Sequence, residues 1–264
     1  MSKESTPPRG ILLDVDGTLT NSQRIVSVRT TEAVKELTKK GIKIGAATGR
    51  SYAALFKYIF PFFPSDSLHI VAGGGQIVNR EGEIIWENKI PSKEVVNICK
   101  EVEKMGANYV FGQESVLYCS DKLLSNISKH PWQIDARLPG SLKDWSTPLV
   151  SILNINEKVR SYLSEQKTLS VKEIETTYKP SYFDVTTQGV NKGASASIWA
   201  EKVGVSLANT LAVGDSINDI ELFQVSGSSA AMGQSPENVK AAAKTTIGNT
   251  NEDGLAKYLE SLID

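Results

Sequence analysis

Cysteine is nearly absent from this sequence: Cys99 and Cys119 are the two thiols among 264 residues. Two are too few for a disulfide framework, and they suit a reducing compartment as ordinary semi-buried side chains. An excess of charge of one sign is also missing. Lys and Arg total 29 against 30 Asp and Glu, a formal net charge of -1. With no basic surplus, neither nucleic acid nor an anionic membrane is expected as a partner. Nowhere do about 18 apolar residues run together, so no transmembrane helix is expected. Residues 1–9 are polar, contain Pro7-Pro8 and lack an apolar stretch, which excludes a signal peptide and suggests a disordered lead-in. Internal repeats and low-complexity tracts are absent too. What remains is a soluble, cytoplasmic protein, long enough for one large or two modest domains.

The most informative stretch that is present runs Gly10-Ile11-Leu12-Leu13-Asp14-Val15-Asp16-Gly17-Thr18. Ile11, Leu12, Leu13 and Val15 have the character of a strand buried on both faces, as in a parallel sheet covered by helices. In extended backbone, residues two apart point the same way, so Asp14 and Asp16 can address one small volume at the strand's C-terminal end. Open α/β sheets bind their ligands there. Gly17 permits a sharp turn, and Thr18 offers a hydroxyl and an N–H to an anion. Neighbouring carboxylates raise one another's pKa unless a positive group sits between them, so the pair asks for a metal ion, a lysine or both. A strand end with solvated aspartates in an Asx turn explains the two carboxylates taken alone. The apolar run before them and the Gly-Thr after them favour chemistry, with one aspartate attacking phosphorus and the other moving a proton.

Along the chain, residues 27–40 read as an amphipathic helix stopped by Gly41, and 42–47 as a second buried strand ending at Thr48-Gly49-Arg50. Ser51 is placed to cap a helix over 52–60 that Pro61 and Pro64 terminate. A third strand, 68–72, runs into Gly73-Gly74-Gly75, and residues 76–78 and 83–86 form a hairpin. Strand alternating with helix indicates a doubly wound sheet. The character changes near Ile90-Pro91, where a helix over 92–105 precedes strands near 108–111, 116–119, 149–155, 169–177 and 182–186, with a helix over 157–166. The βα rhythm resumes at Gly189, with a helix from Lys192 to Val203 and a strand over 210–213 entering Gly214-Asp215-Ser216-Ile217-Asn218-Asp219. A strand over 229–232 follows, then a helix with Ser235 as cap and Pro236 in its first turn, and a last helix over 255–262.

Three further fragments sit where chemistry is possible. Thr48-Gly49 lies between a strand and a helix, where N–H groups and the helix dipole attract anions, although such turns commonly contain Thr and Gly. Lys192 precedes a helix; a lysine there is usually solvated, but it can offset a carboxylate and a phosphate brought together. Asp215, Asn218 and Asp219 have a spacing that lets them share a hard cation, while helix capping is the simpler alternative. Four fragments at strand ends, with types suited to one reaction, point to phosphoryl transfer, which needs positioning and electrostatic stabilisation.

On these residues the chain resembles the haloacid dehalogenase superfamily, in its Cof-like (subfamily IIB) branch of phosphatases. Asp14-Val-Asp16-Gly-Thr18, Thr48 with Gly49-Arg50, Lys192, and Gly214-Asp215-x-x-Asn218-Asp219 match the family's four motifs; Val190-Asn191-Lys192-Gly193 and the late Asn-Glu-Asp-Gly are also typical. Gly73-Gly74-Gly75 departs from the Asn-Gly-Ala that relatives often carry. The resemblance implies a doubly wound, mostly parallel Rossmann-like α/β core, residues 1–84 and 188–264, interrupted by an α+β cap at 85–187 that closes over the site and selects the leaving group. It implies Asp14 as nucleophile through an aspartyl-phosphate, Asp16 as acid and base, and Thr48, Gly49, Lys192 and Asn218 around the phosphoryl group. It implies Mg²⁺ held by Asp14, Asp16 (through its carbonyl) and Asp215, with Asp219 as ligand or support. The activity implied is hydrolysis of a small phosphorylated metabolite, a sugar phosphate foremost. A phosphomutase and a non-catalytic phospho-metabolite sensor are the rivals.

Residues 131–148, with Trp132, Arg137, Gly140, Lys143 and Trp145, show no periodicity, and a loop that long is uncommon unless functional or disordered. Trp132 or Arg137 is expected to read the leaving group; local packing of the tryptophans is the alternative.

Overall fold

In the computed structural model the described residues are 7–174 and 180–263. Part of the expected lead-in (1–6) and the end of the expected strand over 169–177 (175–177) lie outside them. The chain runs β1 (Gly10–Leu13), α1 (Val28–Lys39), β2 (Lys43–Ala46), β3 (Leu68–Val71), β4 (Gln76–Asn79), β5 (Ile84–Glu87), α2 (Ser92–Lys104), β6 (Asn108–Gln113), β7 (Val116–Cys119) and α3 (Asp121–Ser128). It continues β8 (Ala136–Arg137), β9 (Val150–Leu153), α4 (Glu157–Ser164), β10 (Leu169–Ile174), β11 (Tyr182–Thr187) and α5 (Lys192–Val203). The remaining elements are β12 (Thr210–Gly214), α6 (Ile220–Val225), β13 (Ser228–Ala231), α7 (Glu237–Ala242), β14 (Thr245–Thr246) and α8 (Gly254–Glu260).

Contacts divide the chain into two units: Met1–Thr48 with Pro61–Ile70 and Lys192–Asp264, and Gly49–Phe60 with Val71–Asn191. The second is wider than the insert expected at 85–187.

The first unit is an α/β layer structure around a five-stranded parallel sheet in the order β14-β13-β12-β1-β2. Ile11, Leu12, Leu13, Leu211, Ala212 and Val213 are buried in the two central strands, as a sheet covered on both faces requires. α1 begins where the Ser27 hydroxyl accepts the Thr30 N–H, and turns Thr30, Ala33, Val34 and Leu37 inward at helical spacing. α5 buries Trp199 completely, its indole N–H donating to the Leu68 carbonyl. Unpaired, that donor would carry a desolvation cost of about 1–3 kcal/mol. In register, Leu13 lies opposite Ala46 on one side and Val213 on the other, so Asp14, Thr48 and Asp215 leave the sheet by the same C-terminal edge.

The second unit is built on a six-stranded sheet in the order β10-β11-β9-β6-β7-β8, antiparallel apart from the β7–β8 pair. Its core gathers Val95, Ile98, Cys99 and Val102 of α2 with Tyr109, Phe111, Val150, Ile152 and Val185 of the sheet. β4 and β5 make the expected antiparallel hairpin, with a register shift at Ile77/Val78.

Three local expectations fail. The helix over 52–60 is absent: 3₁₀ turns occupy Tyr52–Ala54 and Phe60–Phe62 instead. Ser51 makes no capping hydrogen bond, and its side chain is pressed against Gly112 of β6. Ser235 does not cap α7: Pro236 takes the cap position, and the buried Ser235 hydroxyl makes no hydrogen bond among the described residues. The loop over 131–148 is partly ordered by β8, which pairs with β7, and by a 3₁₀ turn at Pro139–Ser141. No helix among the described residues is long and apolar enough to cross a membrane.

Candidate active site

β1 ends at Leu13, one residue before Asp14, because its ladder with β2 and β12 closes there. The two aspartates therefore stand in a turn rather than on the strand itself. That turn is tied by Gly17 N–H to Thr20 O (3.2 Å), Leu19 N–H to Asp14 O (3.2 Å) and Thr20 N–H to Val15 O (2.9 Å). Asp14 is buried and Asp16 exposed. Gly17 has φ +86°, and a Cβ there would stand 2.3 Å from Asp215 Oδ2, so only glycine lets this turn lie against that carboxylate.

Lys192 opens α5, where the helix dipole disfavours a cation. It is nonetheless 1 % exposed, and its ammonium donates to Asp14 Oδ1 and Asp219 Oδ1, each at 2.6 Å. Burial works against the charged ammonium, but the charges and hydrogen bonds of Asp14 and Asp219 outweigh it and raise the Lys192 pKa. Gly193 makes the approach possible: a Cβ on it would come within 2.4 Å of the Glu221 carbonyl oxygen on α6.

Asp219 is fully buried and uses both oxygens. Oδ1 takes Lys192, while Oδ2 accepts the N–H groups of Asp215 and Ser216, both at 3.0 Å. With Ser216 it forms a capping box, and Asn218 Oδ1 accepts the Ser216 hydroxyl at 2.7 Å. Capping and site-building are thus one arrangement here, with Asp219 fixing the backbone that carries Asp215. Ser216 escaped the sequence reading; its signal was the S-x-x-D spacing of that box.

Asp14, Asp215 and Asp219 each offer an oxygen within 4.8 Å of the others. Asp215 Oδ1 accepts a long hydrogen bond from the Thr18 hydroxyl, 3.4 Å, so that hydroxyl is turned to a carboxylate of the protein itself. The Lys192 ammonium pairs with two of the three carboxylates, which leaves the cluster with an excess of negative charge. Burial, then the negative charges of Asp219 and Asp16, push Asp14 up to about 7 against the pull of Lys192. Burial, then Asp14 and Asp219, push Asp215 up to about 9. Asp14 Oδ2 and Asp215 Oδ2 accept no hydrogen bond among the described residues. An all-oxygen, negatively charged donor set short of positive charge fits a hard divalent cation.

Thr48 is buried just past β2, its N–H donating to the Ile70 carbonyl at 2.9 Å. Gly49 follows it and groups with the second unit. In that unit Trp132 is buried, with Tyr58 stacked on it and the Arg50 guanidinium 4.9 Å from its ring centre. Arg137 is exposed and paired to Asp135 at 2.7 Å.

The model of the haloacid dehalogenase-like hydrolase family matches residues 11–259. A 5-amino-6-(5-phospho-D-ribitylamino)uracil phosphatase of Bacillus subtilis is 24 % identical over 98 % of this chain and 97 % of its own. The pyridoxal phosphate phosphatase of Escherichia coli is 24 % identical, over 96 % and 98 %. Among solved structures, a subclass IIB sugar phosphatase superposes with a TM-score of 0.79 at 26 % identity, covering 97 % of this chain and all of that one. A haloacid dehalogenase-like hydrolase from Bacteroides thetaiotaomicron gives 0.80 at 24 %, over 97 % and 99 %. With its motifs on one sheet edge and nearly its whole length matched, the chain belongs to the haloacid dehalogenase-like hydrolases, in their Cof-like branch.

Proposed function

We propose that this phosphatase hydrolyses the phosphomonoester of a small sugar phosphate with Mg²⁺ as cofactor and Asp14 as phosphoryl acceptor. One observation carries the reading: a buried lysine bridges Asp14 and Asp219 beside Asp215, at the sheet edge where Thr48 also emerges. Lys192 holds Asp14 Oδ1, which leaves Oδ2 to attack phosphorus. Asp16, exposed in the turn, gives its proton to the departing ester oxygen. It then takes a proton from the water that attacks phosphorus, releasing inorganic phosphate and restoring Asp14. The Thr48 hydroxyl, the Gly49 N–H, Asn218 and the Lys192 ammonium hold the phosphoryl oxygens. Asp14, the Asp16 carbonyl and Asp215 would hold Mg²⁺, with Asp219 supporting them. When bound, Mg²⁺ offsets the negative charge of carboxylate and phosphate drawn together.

The relatives named for phosphatase action on a phosphoribitylamino-uracil, pyridoxal phosphate and sugar phosphates support a small phosphorylated metabolite as substrate. We place the reaction in the cytoplasm and assign choice of leaving group to the inserted unit, with Trp132 and Arg137 as its readers. For Arg137 this requires exchanging Asp135 for the substrate. The test is phosphate release across a panel of phosphate esters, with Mg²⁺ and with chelator. Release only with metal is expected. Phosphate returned to the sugar without free phosphate would identify a mutase. No turnover of any ester would leave a sensor and overturn the reading.

A further inference from the structure

The aspartate turn is held from outside by a residue that belongs to none of the four motifs. Gln234, half-buried in the segment after β13, donates through Nε2 to the Gly17 carbonyl at 2.6 Å. Its Oε1 accepts the Thr250 N–H at 3.0 Å. The two partners fix which way the amide faces, since a carbonyl can only accept and an N–H can only donate. The Thr250 hydroxyl reaches the Thr18 and Thr20 carbonyls, at 3.4 and 3.5 Å, and Asn251 Oδ1 accepts the Ser22 N–H at 3.2 Å. One side-chain amide thus joins the turn carrying both aspartates to Thr250, the residue before the Asn-Glu-Asp-Gly segment.

The geometry points to Gln234 as a positioning residue for phosphoryl transfer, an inference that rests on the reading above. In a trans peptide the carbonyl and the N–H point in opposite directions. Pinning the Gly17 carbonyl to Gln234 therefore fixes the plane of the Gly17–Thr18 peptide and sends the Thr18 N–H the other way. That N–H makes no hydrogen bond among the described residues. The same peptide carries the Thr18 hydroxyl to Asp215 and packs Gly17 against the Asp215 carboxylate. A rotated Gly17–Thr18 peptide would shift Asp16 and Asp215 together. Glutamine has the reach and both functions. Asparagine is ~1.5 Å shorter, and glutamate would set an oxygen against the Gly17 carbonyl.

Three variants separate the contributions. Gln234→Met keeps the length and loses both hydrogen bonds; Gln234→Glu keeps the acceptor and loses the donor; Gln234→Asn keeps the amide and loses reach. In Gln234→Met and Gln234→Glu, kcat on a turned-over ester is expected to fall about 10- to 100-fold with KM nearly unchanged, the scale of an ångström-sized misplacement. Amide exchange in the metal-free protein should accelerate at Gly17, Leu19 and Thr20 while α1 stays protected. Unchanged kcat would overturn the inference, as would exchange rising equally in α1, which marks a general loss of stability. If the wild type turns over no ester, the proposed function fails, and unchanged exchange at Gly17, Leu19 and Thr20 would still refute the clasp.

Discussion

The two units treat charge in opposite ways. In the first, Lys192, Asp14 and Asp219 form ion pairs whose side chains are 1 %, 7 % and 0 % exposed. In the second, Arg160–Glu173 and Arg137–Asp135 lie at the surface, with exposures of 38 % and 29 %, and 59 % and 42 %. Burying charge is expensive, and surface pairs contribute little. The difference teaches where chemistry sits: the first unit holds a paired charge cluster in its interior, where apolar side chains of the same volume would cost less to bury, while the second keeps an apolar core and wet rims. Asp184 is the second unit's exception, buried but hydrogen-bonded by Ser151 at 2.6 Å.

The sharpest way to break this contrast is Asp14→Asn. It should cost turnover at least about 10⁴-fold while the protein stays folded, checked by phosphate release and circular dichroism. Next, Lys192→Met strands Asp14 and Asp219 and should destabilise by about 3–5 kcal/mol in urea unfolding. Arg137→Met in the second unit should cost no more than about 1 kcal/mol. Equal losses would erase the distinction between the units.

The raised carboxylate pKa values sharpen it further. Asp14 and Asp215 bind protons more tightly folded than unfolded, at about 7 and about 9 against 3.8. The metal-free fold therefore loses stability as pH rises above the ordinary carboxylate range through those values. Its Tm should drop between pH 5 and 9, and Mg²⁺ should restore more at the alkaline end; Asp215→Asn should blunt both effects. The smallest effect belongs to the inserted unit. Trp132→Ala and Arg137→Ala should change the ranking of substrates by kcat/KM about tenfold. Uniform losses across the panel would count against leaving-group reading.

Legibility follows the same divide. Asp14, Lys192 and Asp215 could be found from the sequence because each follows or opens an element; the parallel register brings Asp14 and Asp215 to one edge, and Lys192 reaches Asp14 from the start of α5. Most strands and the helices α1, α2 and α5 were readable from apolar spacing and flanking Gly, Ser or Pro, whereas the two-residue strands β8 and β14 were not. Ser51 and Ser235 misled because capping depends on which way a side chain turns, and long-range packing against Gly112 decided one case. Gln234 carried no local signal at all, since its partners Gly17 and Thr250 are distant in the chain. Trp132 and Arg137 sit in a stretch without period, where no rule of spacing applies.

The central claim is that Asp14 accepts a phosphoryl group. Rapid acid quenching during turnover of an ester labelled in its phosphoryl group, with Mg²⁺ present, tests this most directly. The expected result is label bound covalently to Asp14, absent in Asp14→Asn. Turnover at the full rate with the label on another side chain, or on none, would contradict it.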